Sequence, residues 1–311
     1  MKTFDMHADI GTNLYERYLN GEKNVFRKYH LNNLKKGETG GLFTACYFSG
    51  TQDWSYMQEM IQNCNLEIND NSDNLFLVKE VKDLVESDKI LTCISVEGMC
   101  GIKDDVESKI DWMYQNNVRI ASLVWNESNA LADGWPNNPL RGLSEDGFKV
   151  VKRMNELKMI IDVSHINEKG FWDIISASER PVIATHSNAR TLCGHDRNLT
   201  DQQLKAIASK NGVIGLNSCG DFIHKEKSEQ NALNLAKHAR YMADLIGVNH
   251  IGFGFDYMDF FIGFENDNAL DLRNAGDNQN LVRALSAVGF NDEEAAKIAY
   301  YNVYNFLKEN L

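Results

Sequence analysis

Eight short apolar runs, separated by stretches of helical character, constrain this chain more than any other feature. They are Thr3–Ile10, Gly41–Phe48, Ile90–Val96, Arg119–Trp125, Met159–Ser164, Pro181–Thr185, Gly212–Asn217 and His250–Phe255. Each is five to eight residues long, rich in Val, Ile and Phe, and flanked by polar residues or Gly, which is how strands read. Strands that alternate with helices make a parallel sheet, and near-continuous apolarity means that the sheet is covered on both faces. Eight such units predict an α/β fold of the (β/α)8 TIM-barrel type. A doubly wound open sheet is the alternative, but no Gly-rich phosphate loop follows the first run. The 311 residues suit one barrel, and the only three prolines (Pro136, Pro139, Pro181) mark no linker. A single domain over residues 1–311 is therefore expected.

The intervening segments carry helix signals. After Ser144-Glu145-Asp146-Gly147, apolar Phe148, Val151, Met154 and Leu157 recur every third position and drift slowly round one helix face. Thr200 reads as an N-cap for Leu204–Ser209, which Asn211-Gly212 stops. Asn231–Ile246 and Asp292–Lys308 read as longer helices.

The net charge of −12 argues against a nucleic-acid partner, since an acidic surface repels phosphate. No apolar run reaches the 18 or so residues of a membrane span, and Met1–His7 shows neither a signal-peptide core nor a cleavage pattern. A cytoplasmic protein with no membrane partner is expected. Cys46, Cys64, Cys93, Cys100, Cys193 and Cys219 form no CxxC pair and read as buried, reduced thiols.

In a barrel, the site forms where strands end at their carboxyl termini, so the residues that close each run matter most. The first run carries His7-Ala8-Asp9, two residues apart and hence pointing the same way. The third ends in Glu97, the fifth in His165, the sixth in His186 and the eighth in Asp256. Glu97 follows apolar Cys93–Val96, where an unpaired carboxylate is costly to bury and a cation would remove the cost. Imidazole and carboxylate donors without thiolate suit Zn²⁺, with Mn²⁺ or Fe²⁺ as substitutes. Two ions about 3.5–4 Å apart could share one carboxylate, for which Glu97 is the candidate. Asp256, beside such ions, could move a proton, and Arg197 could pair with a substrate carboxylate through its planar fork. The other histidines (His30, His195, His224, His238, His250) lack strand-end placement, although His195 shares the Arg197 loop.

Taken in order, several segments resemble the membrane dipeptidase (renal dipeptidase) family of the amidohydrolase superfamily. They are Asp5-Met6-His7-Ala8-Asp9, Ser95–Gly98, Gly142-Leu143-Ser144 through Ile161–His165, Pro181–Arg190, Arg197-Asn198 and Gly252–Tyr257. The resemblance implies a barrel with two zinc ions that cleaves dipeptides, including those with a D-residue on the C-terminal side, and that forms homodimers. It makes His7, Asp9 and Glu97 the ligands of one zinc, and Glu97, His165 and His186 those of the other. Arg197 would then hold the substrate carboxylate and Asp256 handle the proton. Three departures stand out. Trp125 replaces a histidine that contacts the scissile carbonyl in the mammalian enzymes, Met258 stands where another Asp is frequent, and no lipid-anchor signal is evident. An indole N–H can donate but cannot accept a proton, so carbonyl polarisation would fall to zinc or to Asn126 beside it.

The function expected is thus hydrolysis of a dipeptide-like small molecule by a hydroxide held between two zinc ions. Two alternatives remain. One is hydrolysis of another small amide or ester (a lactone, cyclic amide or N-acyl amino acid), which Trp125 favours. The other is a non-catalytic metal-binding barrel.

Overall fold

The computed structural model describes every residue except Glu86. The eight runs form β1 (Thr3–Ala8), β2 (Thr39–Tyr47), β4 (Ile90–Glu97), β5 (Val118–Ser122), β6 (Ile160–Asp162), β7 (Val182–Ile183), β8 (Ile214–Leu216) and β9 (Ile251–Phe253). Every pairing among them is parallel, in the order β7-β6-β5-β4-β2-β1-β9-β8. A parallel bridge from Ala184 to Ile214 brings β7 to β8 and closes the ring. The chain is therefore a nearly closed eight-stranded barrel with helices between the strands. A ninth strand, β3 (Leu75–Leu77), pairs with Ile90–Thr92 on the part of the β4 edge that β5 leaves free. The eight apolar runs do not include it, because three residues carry no readable period.

From β5 onward the hydrogen-bonded strands are shorter than their apolar runs. His165, His186 and Asp256 accordingly lie three residues beyond β6, β7 and β9, in the first turns of the loops.

Two apolar layers form. Inside the ring, Phe4, Met6, Phe43, Leu91, Cys93, Ile120, Ile160, Ile183 and Val213 pack together with Val303, Phe306 and Leu307 of the helix Asn302–Asn310. That helix is the floor of the barrel. The expected single helix Asp292–Lys308 is interrupted by a π-helical turn at Lys297–Tyr301. Such a turn inserts one extra residue and rotates the buried face. Up to and within it, Ala295, Ile298 and Ala299 face the outer core; after it, Val303, Phe306 and Leu307 face the interior.

The outer core packs helices on strands. Ser144 caps the helix Glu145–Glu156 by accepting from the Gly147 N–H at 3.0 Å. This helix buries Val150, Val151 and Met154, while Phe148 is 45% exposed. Positions three apart slip back about 60° per step, so the four-residue series read from the sequence wraps half-way round and Phe148 leaves the face. Thr200 and Gln203 form a capping box on Asp201–Ser209, and Asn211, with φ 58°, turns the chain out of it. Asn231 caps Ala232–Ile246. Among the described residues no helix is long and apolar enough to cross a membrane. Cys46, Cys64, Cys93, Cys100 and Cys193 are buried, and Cys219 is partly exposed.

Candidate metal centre

The site is assembled at the carboxyl end of the barrel. Asp5 anchors it from within β1, accepting the N–H groups of His7 (3.1 Å) and Phe255 (2.9 Å) and so tying β1 to the segment after β9. Burial drives the Asp5 carboxyl up to about 7 against those two bonds. His7 lies in β1, and Asp9 opens the helix Ile10–Leu19. Glu97 is the last residue of β4. His165 and Asp256 sit in left-handed backbone, with φ 68° and 57°, a conformation that costs an ordinary side chain about 1–3 kcal/mol and clusters at functional positions.

All six side chains converge. His7 Nε2 is 3.5 Å from Asp9 Oδ2, 3.4 Å from Glu97 Oε2 and 4.0 Å from Asp256 Oδ1. Glu97 Oε1 is 2.8 Å from His165 Nε2 and 3.5 Å from His186 Nε2. The two halves of the Glu97 carboxylate therefore face different histidines. Glu97–His165–His186 and His7–Asp9–Asp256 each form a cluster tight enough to hold an ion.

Electrostatics mark the cluster as incomplete without a cation. Burial raises Glu97 to about 7, partly offset by His7 and reinforced by Asp9 and Asp256. Burial likewise raises Asp256, while His7, Asn217 and Arg197 act to lower it. Burial lowers His7, yet Glu97 and Asp9 overcome it and hold that imidazole well above its usual range. Burial drives His165 and His186 well below theirs, which favours the neutral form of both rings. His7 Nε2, Asp9 Oδ1 and Glu97 Oε1 are buried without a hydrogen-bond partner. Unpaired buried groups of this kind are rare and expensive. The donors left open are nitrogens and carboxylate oxygens, a set that fits a zinc-like divalent ion.

The remaining candidates lie close by. Asn126 Oδ1 stands 2.8 Å from His165 Nδ1, so that ring donates to the amide and turns its Nε2 toward Glu97. Trp125 packs edge-on against Tyr47 at 5.1 Å and lies 6.0 Å from the His165 ring. Arg197 is 6% exposed; its Nη2 is 3.1 Å from His186 Nε2, and its Nε has no partner. His195 accepts the Arg197 N–H through Nδ1 at 3.1 Å and packs on Phe222, which places it in the support of that loop. A cavity of about 370 Å³ flanks the centre, walled in part by Arg197, Ser187, Trp135, Phe171 and Leu199 but by none of the five candidate ligands. His30, His224, His238 and His250 are not among the converging groups. Three polar residues that the strand-end reading passed over also belong here. Asn217 donates to Asp256 Oδ2 at 3.1 Å, and Thr185 and Asp162 stand behind His186. All three close or follow strands, but Asn217 and Thr185 are not common ligand types and Asp162 lies inside its apolar run rather than at the end of it.

The model of the membrane dipeptidase family, peptidase family M19, matches residues 1–310. The chain belongs to that family. Family membership makes it a metallo-dipeptidase, a peptide hydrolase that works with a metal cofactor. An uncharacterized protein from the pqqA 5′ region of Klebsiella pneumoniae is 33% identical over 71% of this chain and 83% of its own length. Dipeptidase tcpJ of Claviceps purpurea is 27% identical over 90% of this chain and 68% of its own. Among solved structures, a metallo peptidase from Rhodobacter sphaeroides, liganded with a phosphinate mimic of L-Ala-D-Ala, superimposes with a TM-score of 0.87. It is 22% identical and covers 100% of this dipeptidase and 99% of its own chain, a likeness of fold.

Proposed function

We propose that this member of the family hydrolyses small dipeptides, L-Xaa-L-Xaa and L-Xaa-D-Xaa, at two zinc ions that share Glu97. The observation that carries the reading is the set of buried, unpaired donor atoms on His7, Asp9 and Glu97, facing two further neutral imidazoles. His7, Asp9 and Glu97 would hold one ion; Glu97, His165 and His186 would hold the other. When bound, the ions supply an acidified water and an electrophile for the carbonyl oxygen.

The protein's own groups do the rest. Asp256, whose proton affinity is raised by burial, accepts a proton from the attacking water and returns it to the leaving amine. Asn217 holds the other oxygen of that carboxylate and fixes its direction. Arg197, buried with an unpaired Nε, receives the free carboxylate of the substrate. Trp125, 6.0 Å from the His165 ring, would offer its indole N–H where the mammalian enzymes have histidine. Asn126 keeps only its amide N–H groups to offer a carbonyl, because its oxygen serves His165. The phosphinate dipeptide mimic held by the Rhodobacter relative supports the inclusion of a C-terminal D-residue. The barrel acts as one domain, 1–311, and the family resemblance supports a homodimer.

Metal analysis of purified protein, followed by a panel of L-L and L-D dipeptides, tests the proposal. About two zinc ions per chain and turnover of some dipeptides are expected; a zinc-loaded protein that cleaves none of them sinks it. Trp125 favours a second reading, an uncharged small amide or ester as substrate. Arg197→Ala separates the two. It should raise KM steeply for dipeptides and leave carboxylate-free substrates untouched if the first reading holds.

A further inference from the structure

Behind the candidate ligands, one hydroxyl group meets two of the histidines. Thr185 Oγ1 lies 2.8 Å from His186 Nδ1 and 3.4 Å from His7 Nδ1. It also lies 2.5 Å from Asp162 Oδ2. A threonine hydroxyl has one proton to give and two lone pairs to receive with. A carboxylate oxygen only accepts, so the Thr185 proton goes to Asp162 and its lone pairs are left for the His186 ring at 2.8 Å and, at longer range, the Ser164 hydroxyl (3.3 Å) and the His7 ring (3.4 Å). His186 must then carry its proton on Nδ1, and the longer contact offers His7 the same arrangement. The His186 Nε2 lone pair is then free to accept from Arg197 Nη2 at 3.1 Å and lies 3.5 Å from Glu97 Oε1, on the side where a ligand nitrogen is needed.

We infer that Thr185, with Asp162 holding its proton, is a positioning residue that sets the tautomer of the candidate ligand His186, with His7 as a second, longer contact. The inference rests on the proposed assignment of His7 and His186 as ligands. The unit is built to stay in place. Asp162 Oδ1 accepts the backbone N–H groups of Ser164 (2.9 Å) and Thr185 (3.0 Å), so its remaining oxygen is fixed toward the hydroxyl. The Thr185 carbonyl sits in a notch between two strands. A Cβ added at Gly215 or Gly254 would come within 2.0 Å or 1.7 Å of that oxygen. His7, Asp162 and His186 are also close enough to be read as three ligands of one ion. Asp162 has both oxygens engaged by three donors, however, and that argues for a partner of the hydroxyl rather than a ligand. His165 completes the pattern through a separate device, its Nδ1 bonded to Asn126. Hydrogen bonds of this outer kind typically carry a factor of about 10–100 in metal affinity.

The test is a zinc titration of the metal-stripped full chain against a chromogenic chelator, for wild type, Thr185→Ser, Thr185→Val and Asp162→Asn. Thr185→Val keeps the shape and removes the hydroxyl, and should weaken zinc about 10–100-fold; Thr185→Ser should bind as wild type does. Long-range proton–nitrogen spectra of the ¹⁵N-histidine-labelled, zinc-loaded wild type should show His186 protonated at Nδ1, a readout that needs no variant to fold. Equal zinc affinity in Thr185→Val and wild type overturns the inference, as does equal loss in Thr185→Ser and Thr185→Val, or a His186 proton on Nε2. A loss confined to Asp162→Asn would make Asp162 a ligand and overturn it as well. Wild-type protein that takes up no zinc overturns both this inference and the metal reading beneath it, whereas zinc uptake without dipeptide turnover removes only the proposed substrate.

Discussion

His165 and Asp256 share a property that neither composition nor pattern reveals, a left-handed backbone at a chemically active side chain. Among non-glycine residues Asp and Asn adopt that conformation most readily. Asp256→Asn should therefore fold with an unchanged melting temperature and lose about 10²–10⁴ in turnover, the usual worth of a general base. Circular dichroism and a dipeptide assay on the same sample check both halves; retained activity would remove Asp256 from the proton path. The residue types themselves were legible, because His and Asp or Glu at the ends of apolar runs have few other reasons to be there. Asp162, Thr185 and Asn217 were not. Their roles arise from which strands lie side by side, and a hydroxyl or an amide in a strand looks the same whether or not it backs a ligand.

At the scale of elements, the seam between β7 and the last two strands is closely packed. The Thr185 carbonyl occupies space that only glycine leaves at Gly215 and Gly254. Gly254→Ala should destabilise by at least the 1–3 kcal/mol typical of overpacking, because the obstructing atom is backbone and cannot swing away; a melt equal to wild type would count against this packing. The eight barrel strands could be read from apolar runs since each is covered on both sides. What could not be read were features that break periodicity. β3 is too short to show one, the π-helical turn at Lys297–Tyr301 changes the buried face in mid-helix, and Phe148 drifts off its helix face. Strand ends were also placed too late from β5 onward, because the apolar pattern continues into loop turns that pack inward after ladder pairing stops.

For the molecule as a whole, acid sensitivity follows from histidines that the fold keeps neutral away from the metal cluster. His238 accepts the Ala189 N–H on Nδ1 and donates from Nε2 to the Ile223 carbonyl, and burial lowers it to about 4. Burial also lowers His30 to about 3, with Arg17 adding to the effect. Unfolded chains protonate such groups from about pH 6.5 downward, whereas the folded protein resists to about pH 4 at His238. Each therefore leaves stability whole above about pH 6.5 and removes it as pH falls, by up to about 1.4 kcal/mol per pH unit. Urea unfolding at pH 7 and pH 5 should show a smaller drop in His238→Asn than in wild type, and parallel drops would refute this. The barrel floor gives a second global prediction. Phe306→Ala, which hollows the interior beneath the strands, should cost about 3–5 kcal/mol and lower the urea midpoint accordingly.

The floor also sets an order of events during synthesis. Phe4 and Met6 are covered by Val303, Phe306 and Leu307, residues made long after them. Until the helix Asn302–Asn310 has emerged, β1 lacks part of its cover, so the strand that carries His7 and leads into Asp9 settles late. A metal site that includes His7 and Asp9 would therefore be completed only after the ring has closed over its floor.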